Sequence, residues 1–216
     1  MNTPTETETS PAQEEVIRNT DLLQEICKHL GPKDLQVCSR VSHAFRQAAV
    51  QNAIWEPLCE ALWSDKKCVP ARDRTELSAR QRYRLSLLQA KDIEISSAEL
   101  CSLTWLFRFK RSAGDYWVSM DPFWTREGPL CKRTFTENGE YTAVQPDPFT
   151  HDFAFRWRFA KTKQGKKGHY IKVNNFPSLV LSRTKNWGWR MENEWVVMAG
   201  PVHDSDDSKD CREALL

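Results

Sequence analysis

The chain has 216 residues and a mass of 25.1 kDa, with 40% hydrophobic and 28% charged residues, a composition that excludes a wholly disordered chain. No apolar run reaches the roughly 18 residues of a membrane-spanning helix, and the Thr- and Glu-rich start lacks the apolar stretch of a signal peptide, so we predict a cytoplasmic or nuclear protein. Residues 1–15 carry four acids and no bases, and 201–216 carry five acids against two bases, which predicts disordered acidic tails.

The aromatic residues are distributed very unevenly. Of the 23 Phe, Trp and Tyr residues, 19 lie between positions 101 and 200. Because domains commonly have roughly 100 to 200 residues, this asymmetry favours two units built on different principles. The seven cysteines form no Cys-x-x-Cys pair, so we expect reduced thiols and neither a zinc site nor a disulfide framework.

Helical periodicity begins near residue 16. Leu22, Ile26 and Leu30 recur at i, i+4 and i+8, which predicts one amphipathic helix of about ten residues. Gly31 and Pro32 should end it, because Gly accepts a left-handed backbone and Pro cannot continue the hydrogen-bond ladder.

Two more helices are predicted before residue 63. The first helix is predicted to have Thr20 or Asp21 as its N-cap. The second helix should be capped by Asp34 and continue to Ala49. The third should begin at Asn52. Three short helices in about 45 residues cannot enclose a full core, so the segment is expected to need a partner.

The segment over roughly residues 17–62 resembles an F-box. The matching residues are Asp21-Leu22-Leu23 and Ile26, the run Leu30-Gly31-Pro32-Lys33-Asp34-Leu35, then Val41 and Phe45, and finally Ile54-Trp55 and Leu58. Arg18-Asn19 stand where most F-boxes have Leu-Pro, and Phe45 stands where Trp is commoner. The resemblance implies a non-catalytic subunit that binds a Skp-type adaptor and, through it, cullin and RING subunits.

We place the F-box at residues 16–63 and expect helix-in-groove recognition by its apolar side chains. The predicted adaptor-binding residues are Leu22, Leu23, Ile26, Leu30, Pro32, Leu35, Val41, Phe45 and Trp55. Some of them must instead hold the three helices together, and the sequence does not separate the two groups.

Residues 64–98 are predicted to be a helical linker. A polar stretch comes first, and Asp73 or Thr75 can then cap a helix that carries Leu87 and Leu88. The resemblance to F-box proteins implies that this helix packs the F-box against the substrate domain.

Residues 99–200 show the two-residue period of strands. We predict strands at 103–110, 133–136, 141–144, 153–160, 170–173, 179–183 and 187–198. The strands at 103–110 and 153–160 should each have one buried face and one wet, basic face, and Asn138-Gly139 predicts a hairpin with a type I′ turn. The strand that opens with Trp105 distantly resembles the start of lipocalin-like barrels.

The predicted fold class is α+β, with an N-terminal three-helix F-box, a linker helix and a C-terminal antiparallel β domain. Six or seven short strands without intervening helices indicate an antiparallel meander. A small up-and-down barrel is favoured because closure removes the sheet edges, and a sandwich is the alternative.

The β domain carries aromatic and basic residues that could bind a target. The segment 114–128 and the Trp187-Gly188-Trp189 run either cap the barrel or present aromatics to a partner, and the basic cluster could bind an acidic or phosphorylated target. The predicted target-binding residues are Trp117, Trp124, Arg156, Arg158, Lys161, Trp187 and Trp189.

The predicted function is a substrate-receptor subunit of an SCF-type ubiquitin ligase, in which the β domain recruits a target protein for ubiquitination. The alternative is a small-ligand-binding barrel whose F-box couples the ligand to degradation or acts outside a ligase. No motif of catalysis is present, and Cys131 with His151 is merely one Cys and one His. We therefore predict no catalytic residue, cofactor, metal, membrane or nucleic-acid partner.

Overall fold

A computed structural model describes residues 15, 19–144, 155–161 and 167–202. The chain divides into two compact units: a helical unit of residues up to Asp65 with Val69–Leu88, and a barrel unit of Lys66–Cys68 with residues from Gln89 onward. The predicted acidic tails, apart from Glu15 and residues 201–202, lie outside the described residues, as do positions 153 and 154 of a predicted strand.

The helices of the first unit follow the predicted order. They are α1 Thr20–Lys28, α2 Pro32–Cys38, α3 His43–Ala49, α4 Asn52–Trp63 and α5 Ala79–Gln89. The second predicted helix is in fact two helices, α2 and α3. Ser42 separates them because its backbone is extended and its hydroxyl accepts a hydrogen bond from the Phe45 amide at 3.3 Å, which caps α3.

The N-caps of α1 and α2 were predicted wrongly. Asn19 caps α1, since its Oδ1 accepts from the amides of Asp21 and Leu22 at 3.0 and 3.2 Å. Gly31 is the N-cap of α2, where the following proline occupies the first turn and has no N–H that needs a partner.

The linker helix α5 begins later than predicted. Ser78 and Gln81 form a reciprocal capping box: the Ser78 Oγ accepts from the Gln81 amide at 3.3 Å, and the Gln81 Oε1 accepts from the Ser78 amide at 2.9 Å. Asp73 lies instead in a separate 3₁₀ turn, Pro70–Asp73. The pair of bonds fixes the start of α5 at Ala79.

Helix α5 packs on α4. The Trp63 indole N–H donates to the Ser86 hydroxyl at 2.9 Å, and the Ala79 amide donates to the Asn52 side chain at 3.0 Å. Because these bonds satisfy buried polar groups, they fix the register of the two helices.

Within its described residues, the barrel unit contains ten strands and three short α-helices. The strands are β1 Ile95–Ser96, β2 Trp105–Phe109, β3 Lys132–Phe135, β4 Glu140–Ala143, β5 Phe155–Ala160, β6 Lys167–Gly168, β7 Tyr170–Val173, β8 Leu179–Arg183, β9 Trp189–Glu192 and β10 Val196–Gly200. The helices are α6 Ser97–Ser102, α7 Asp115–Met120 and α8 Pro122–Thr125.

Eight of these strands form a closed antiparallel barrel in the order β2-β3-β4-β5-β7-β8-β9-β10, with β10 pairing back onto β2. Strands β1 and β6 pair separately. The favoured prediction, an up-and-down barrel in an α+β chain, is confirmed. Closure leaves these eight strands with neighbours on both sides, so the sheet has no free edge.

One predicted strand, 187–198, is wrong because it is a hairpin of β9 and β10. The Oδ1 of Asn193 accepts from the amides of Trp195 and Val196 at 2.8 and 2.9 Å, and this Asx-type turn reverses the chain. Trp187 lies before the hairpin, with φ 62°, and is not in a strand.

The predicted hairpin between β3 and β4 is confirmed, but its turn is not type I′. The Gly139 amide donates to the Thr136 carbonyl at 3.0 Å, so Glu137 and Asn138 are the central residues. Only Gly139, which follows them, has a positive φ, at 86°. This is the pattern of a type I turn followed by a left-handed glycine.

The predicted wet face of β2 is buried. Leu106 packs outside the barrel with Phe123 of α8, and the guanidinium carbon of Arg108 lies 4.4 Å from the ring centroid of Phe123. The segment 114–128, which we expected either to cap the barrel or to present aromatics to a partner, forms α7 and α8, and these helices supply the cover.

The two ends of the barrel are built differently. Leu100 of α6 is completely buried in the barrel core, and its carbonyl accepts from the Trp105 indole at 3.3 Å, so α6 packs across the end where β2 begins. Strands β2, β7 and β9 all finish at the opposite end, at Phe109, Val173 and Glu192. The connections that follow them surround that end, which we call the barrel mouth.

Candidate functional site

The helical unit exposes aliphatic side chains on its first two helices and just beyond them. Leu22 and Ile26 are each 45% exposed, Val37 is 52% exposed and Val41 is 64% exposed. Leu22 and Ile26 are one turn apart on α1 and therefore share a face. We call these four residues the aliphatic surface.

The structure separates the predicted adaptor-binding residues into two groups. Leu23, Leu35 and Trp55 are buried in the unit's own core, so we no longer count them as adaptor contacts. The remaining predicted residues keep exposed surface, fully or in part: Leu22, Ile26, Leu30, Pro32, Val41 and Phe45. Val37 was not predicted, although it lies within the F-box segment.

Helix α1 shows why periodicity alone does not distinguish the exposed apolar residues from the buried ones. Leu22 and Ile26 form one apolar pair at i and i+4, and Leu23 and Cys27 form a second pair one residue later. The second pair is completely buried. The two stripes are adjacent and have the same spacing and polarity, so the helical period of the sequence does not indicate which of them is buried.

A cavity of about 220 Å³ opens at the barrel mouth. Its walls are the inward-facing apolar side chains of the barrel strands and the residues of the mouth. The described lining residues are Phe107, Phe109, Ala113, Trp117, Arg133, Tyr141, Phe155, Val173, Phe176, Pro177, Leu179, Asn193, Trp195, Val196 and Met198.

Arg133 is the only charged residue among the described residues that line this cavity. It is 2% exposed, its guanidinium carbon lies 4.7 Å from the Phe107 ring centroid, and its Nη1 donates to the Lys132 carbonyl at 3.2 Å. Arg133 lies in the predicted strand 133–136 but is not one of the predicted target-binding residues. Its position was the signal, because Arg133 lies two residues before the inward-facing Phe135 and the two-residue period of a strand puts both side chains on the inner face.

Three half-exposed aromatic side chains surround the cavity opening. Trp117 is 41%, Phe176 47% and Trp195 41% exposed. Trp117 stacks on Phe109 with ring centroids 5.2 Å apart and an interplanar angle of 30°. We call Trp117, Phe176 and Trp195 the aromatic rim. Only Trp117 was predicted, because the other two come to the mouth through the barrel topology.

Asp121 supports this side of the mouth from a fully buried position. Its two carboxylate oxygens accept from the amides of Phe109 and Phe123 at 2.5 and 2.9 Å. Burial raises the pKa of Asp121, although the two amide hydrogen bonds and the charges of Arg108 and Arg133 oppose this shift. The carboxylate thereby ties α8 to the end of β2.

The four predicted target-binding tryptophans do not form one site. Trp117 is at the mouth, whereas Trp124 packs on the barrel wall and donates its indole N–H to the Phe109 carbonyl at 2.8 Å. Trp187 and Trp189 belong to the turn and strand at the opposite end. Trp189 is completely buried and donates to Glu99 at 2.7 Å, so we no longer count it as a target contact.

The predicted basic residues lie along β5 and the turn after it. Arg156 is exposed and lies 3.6 Å from Glu140, and Arg158 is opposite Lys172 in the pairing of β5 with β7. The Lys161 amine lies 4.5 Å from the Tyr170 ring centroid. Arg158 and Lys172 thus place two like charges opposite each other on adjacent strands, and this arrangement favours an anionic neighbour.

The described part of the chain contains no group of three or more His, Cys, Asp or Glu residues placed to hold a metal ion. None of its helices combines the length and apolarity that crossing a bilayer requires.

The two units thus define a protein with a helical module that exposes aliphatic residues and a closed barrel with an open aromatic mouth. Residues 20–61 match the family model described as F-box-like, so the helical unit carries an F-box-like domain. F-box domains in general bind Skp-type adaptors and are typically non-catalytic modules. No curated protein and no solved structure matches the chain.

Proposed function

We propose that the chain is the substrate-receptor subunit of an SCF-type ubiquitin ligase, acting in the cytoplasm or nucleus. The F-box-like domain binds a Skp-type adaptor, which connects it to cullin and RING subunits, and the barrel recruits the target protein. The observation that carries the proposal is the aliphatic surface, which lies entirely within the residues that match the F-box-like family.

The aliphatic surface has the properties that a helix-in-groove contact requires. Its side chains project from short helices, and their free energy of binding comes from removing apolar area from water, about 25 cal/mol for each Å². The unit's own core behind this surface is already filled by residues such as Leu23 and Cys27. The exposed residues are therefore available to a partner without unfolding the unit.

The mechanism that follows is proximity. The adaptor binds the helical unit and the target binds the barrel of the same chain. The target is therefore held near the ubiquitin-charged enzyme of the complex. Tethering raises the effective concentration of the reacting groups, and the receptor needs no catalytic residue of its own.

The experiment that tests the adaptor half changes Leu22 and Ile26 together to Ala. Binding of a purified Skp-type adaptor to the full chain is measured by isothermal titration calorimetry. Truncating two buried interface anchors should cost about 2 to 3 kcal/mol, or roughly 30- to 150-fold in Kd.

The matched control changes Leu87 and Leu88 of α5 to Ala. These leucines are 40% and 54% exposed, so the control removes the same kind of exposed side chain elsewhere on the same unit. The control should bind the adaptor as the unchanged chain does. Equal affinities of the unchanged chain and the Leu22/Ile26 variant would contradict the proposal.

The cavity favours a second candidate function, a small-ligand-binding barrel whose F-box couples the ligand to degradation. We rank it second because about 220 Å³ is below the roughly 300 to 1,000 Å³ of pockets that enclose drug-sized molecules. Quenching of tryptophan fluorescence by a library of small amphiphiles tests this second function. If no member of the library quenches the fluorescence, the result would argue against a ligand-binding barrel.

A further inference from the structure

A depression with a volume of about 740 Å³ lies at the end of the barrel opposite the mouth. The turn between β8 and β9 and the residues that follow β10 form part of its sides. No Asp or Glu is among the described residues that line it, whereas four of them are basic: Lys67, Arg183, Lys185 and Arg190. We call this space the basic depression. None of these four residues was predicted to bind a target.

Arg183 belongs to the structure of this barrel end. Its Nη1 donates to the Trp187 carbonyl at 2.7 Å, and its guanidinium carbon lies 3.4 Å from the ring centroid of Trp189. Its Nη2 lies 3.6 Å from a carboxylate oxygen of Glu99, which balances the charge. Since only 9% of its side chain is exposed, Arg183 fixes the wall of the depression, and we do not count it as a ligand contact.

The other three basic residues have more positive charge than the neighbouring acids balance. The Nη2 of Arg190 lies 3.3 Å from Oε2 of Glu192, but the same oxygen lies 2.7 Å from Nζ of Lys110, so one carboxylate serves two cations. Within the described residues, the ammonium groups of Lys67 and Lys185 form neither an ion pair nor a hydrogen bond. Cations beside low-dielectric walls attract an anion more strongly than the same charges do in open water.

Hydrogen bonds at the turn between β8 and β9 set the backbone positions of both lysines. The Oδ1 of Asn186 accepts from the Thr184 hydroxyl at 2.6 Å and from the Gly188 amide at 3.3 Å, and these bonds hold the turn that carries Lys185. The Lys67 amide donates to the Asn186 carbonyl at 2.8 Å, so Lys67 lies beside the same turn. Because the turn is held before a ligand arrives, binding orders less of the chain and costs less entropy.

The rest of the lining indicates the chemistry of the ligand. Leu106, Ala199 and Val202 pack together on the outer wall of the barrel and give the depression an apolar part. Trp189, the aromatic residue among the described lining residues, is completely buried, so it offers no ring face on which a nucleobase could stack. The volume of about 740 Å³ lies within the roughly 300 to 1,000 Å³ of ligand pockets and is much larger than one inorganic anion. A polypeptide segment with several carboxylates and an apolar side chain fits this lining.

We propose that the basic depression binds an acidic segment of the target polypeptide. Carboxylates of the segment pair with Lys67, Lys185 and Arg190, and an apolar side chain of the segment contacts the apolar part of the lining. This inference rests on the proposed function, because it names the part of the target that the barrel recognises.

The test uses fluorescein-labelled peptides with the core Asp-Asp-Leu-Asp-Asp between Gly-Ser flanks. One matched peptide has Asn in place of every Asp, and another has Ser in place of Leu. Binding to the full chain is measured by fluorescence anisotropy at low ionic strength, because salt screens exposed charges. We expect the Asn peptide to bind at least about tenfold more weakly than the Asp peptide, and the Ser peptide to lose a smaller part of the affinity.

Two double substitutions assign the binding to the basic depression. Lys67→Gln with Lys185→Gln should weaken binding of the Asp peptide by about tenfold or more. Lys161→Gln with Lys172→Gln removes the same charge elsewhere on the barrel, just after β5 and from β7, and should change the binding by about twofold or less. Because both variants lose two positive charges, the comparison separates the depression from the net charge of the chain. Circular dichroism checks that both variants are folded.

Several outcomes would overturn the inference. Equal binding of the Asp and Asn peptides, absence of binding by all the peptides, or an equal loss in the two lysine variants would contradict it. Competition by inorganic phosphate as effective as the best peptide would identify a small-anion site instead.

Two other occupants of the basic depression would also overturn the inference. Single-stranded DNA that binds more tightly than the Asp peptide, and that loses this affinity in the Lys67/Lys185 variant, would identify a nucleic-acid site. Residues 203–216 carry five acids and two bases and directly follow Val202, so Asp204, Asp206 and Asp207 are changed together to Asn in the full chain. Binding of the Asp peptide by this variant alone would assign the depression to the chain's own acidic sequence.

Adaptor binding is titrated on the same protein samples, so that the two proposals fail separately. Lost selectivity for the Asp peptide with intact adaptor binding contradicts this inference alone. Lost adaptor binding with intact peptide selectivity contradicts the ligase proposal alone.

Discussion

The helical unit and the barrel both expose apolar side chains, but of different kinds and on surfaces of different shape. The helical unit presents the aliphatic residues Leu22, Ile26, Val37 and Val41 on short helices and a turn. The barrel presents aromatic residues around a cavity. Projecting aliphatic side chains suit a groove on a partner, whereas an aromatic-lined cavity suits a group that the partner inserts.

The difference between the barrel and the helical unit also explains why most aromatic residues lie in the C-terminal half of the chain. The barrel uses part of its aromatic content for its core, as with Trp105 and Trp189, whose indole N–H groups donate to Leu100 and Glu99. The aromatic rim is not needed to close that core. The helical unit has few aromatics, and its exposed apolar area is aliphatic.

The largest expected effect contrasts a core tryptophan with a rim tryptophan of the same barrel. Trp189→Ala should lower the free energy of unfolding by about 3 to 5 kcal/mol, because it empties a completely buried site. It also removes the hydrogen bond to Glu99. Trp195→Ala, at the mouth, should cost about 1 kcal/mol or less.

Urea unfolding followed by circular dichroism measures both variants, with the barrel transition fitted separately from the helical one. A loss of comparable size in the two variants would mean that the aromatic rim is structural, and the contrast between rim and core would be lost.

A smaller effect should separate the neighbouring leucines of α1. Leu23→Ala should destabilise the helical unit by about 2 to 5 kcal/mol, since Leu23 is completely buried. Leu22→Ala should change stability by about 0.5 kcal/mol or less but weaken adaptor binding. Thermal unfolding and adaptor titration of both variants check this, and a stability loss at Leu22 equal to that at Leu23 would remove Leu22 from the aliphatic surface.

The smallest effect concerns the pH dependence of the barrel. Because burial raises the pKa of Asp121 in the folded state, the folded protein holds this proton more tightly than the unfolded chain does. Stability from this group is therefore greatest below the unfolded pKa of about 3.9, and it falls as pH rises from there through the raised folded pKa.

Asp121→Asn should remove that slope, while lowering stability at every pH because an amide nitrogen replaces one of the two acceptors. Urea midpoints measured between mildly acidic and neutral pH provide the check. An unchanged slope in the variant would assign the pH dependence to other carboxyl groups.

Periodicity predicted most of the fold. The strands at 170–173 and 179–183 have the predicted bounds, because the turn residues that begin at Asn174 separate them. The region 187–198 was misread because Asn193 reverses the chain inside a strand-like stretch, and only its side-chain hydrogen bonds reveal the turn.

The candidate site was predictable in part. The family resemblance found the F-box segment, but it could not distinguish the exposed Leu22 from the buried Leu23. The barrel mouth could not be predicted from the sequence, because only the strand directions of the closed barrel bring Trp117, Phe176 and Trp195 to the same end. The position of Arg133 could have been recognised as unusual, because charged residues are rare at the alternate strand positions that face a core.

The central claim, that the aliphatic surface of the F-box-like domain binds a Skp-type adaptor, is tested most directly by hydrogen exchange of the full chain with and without the adaptor. We expect slower amide exchange in peptides that cover residues 20–45 and unchanged exchange in those that cover 170–200. Unchanged exchange over residues 20–45, or slowing confined to the barrel, would contradict the claim.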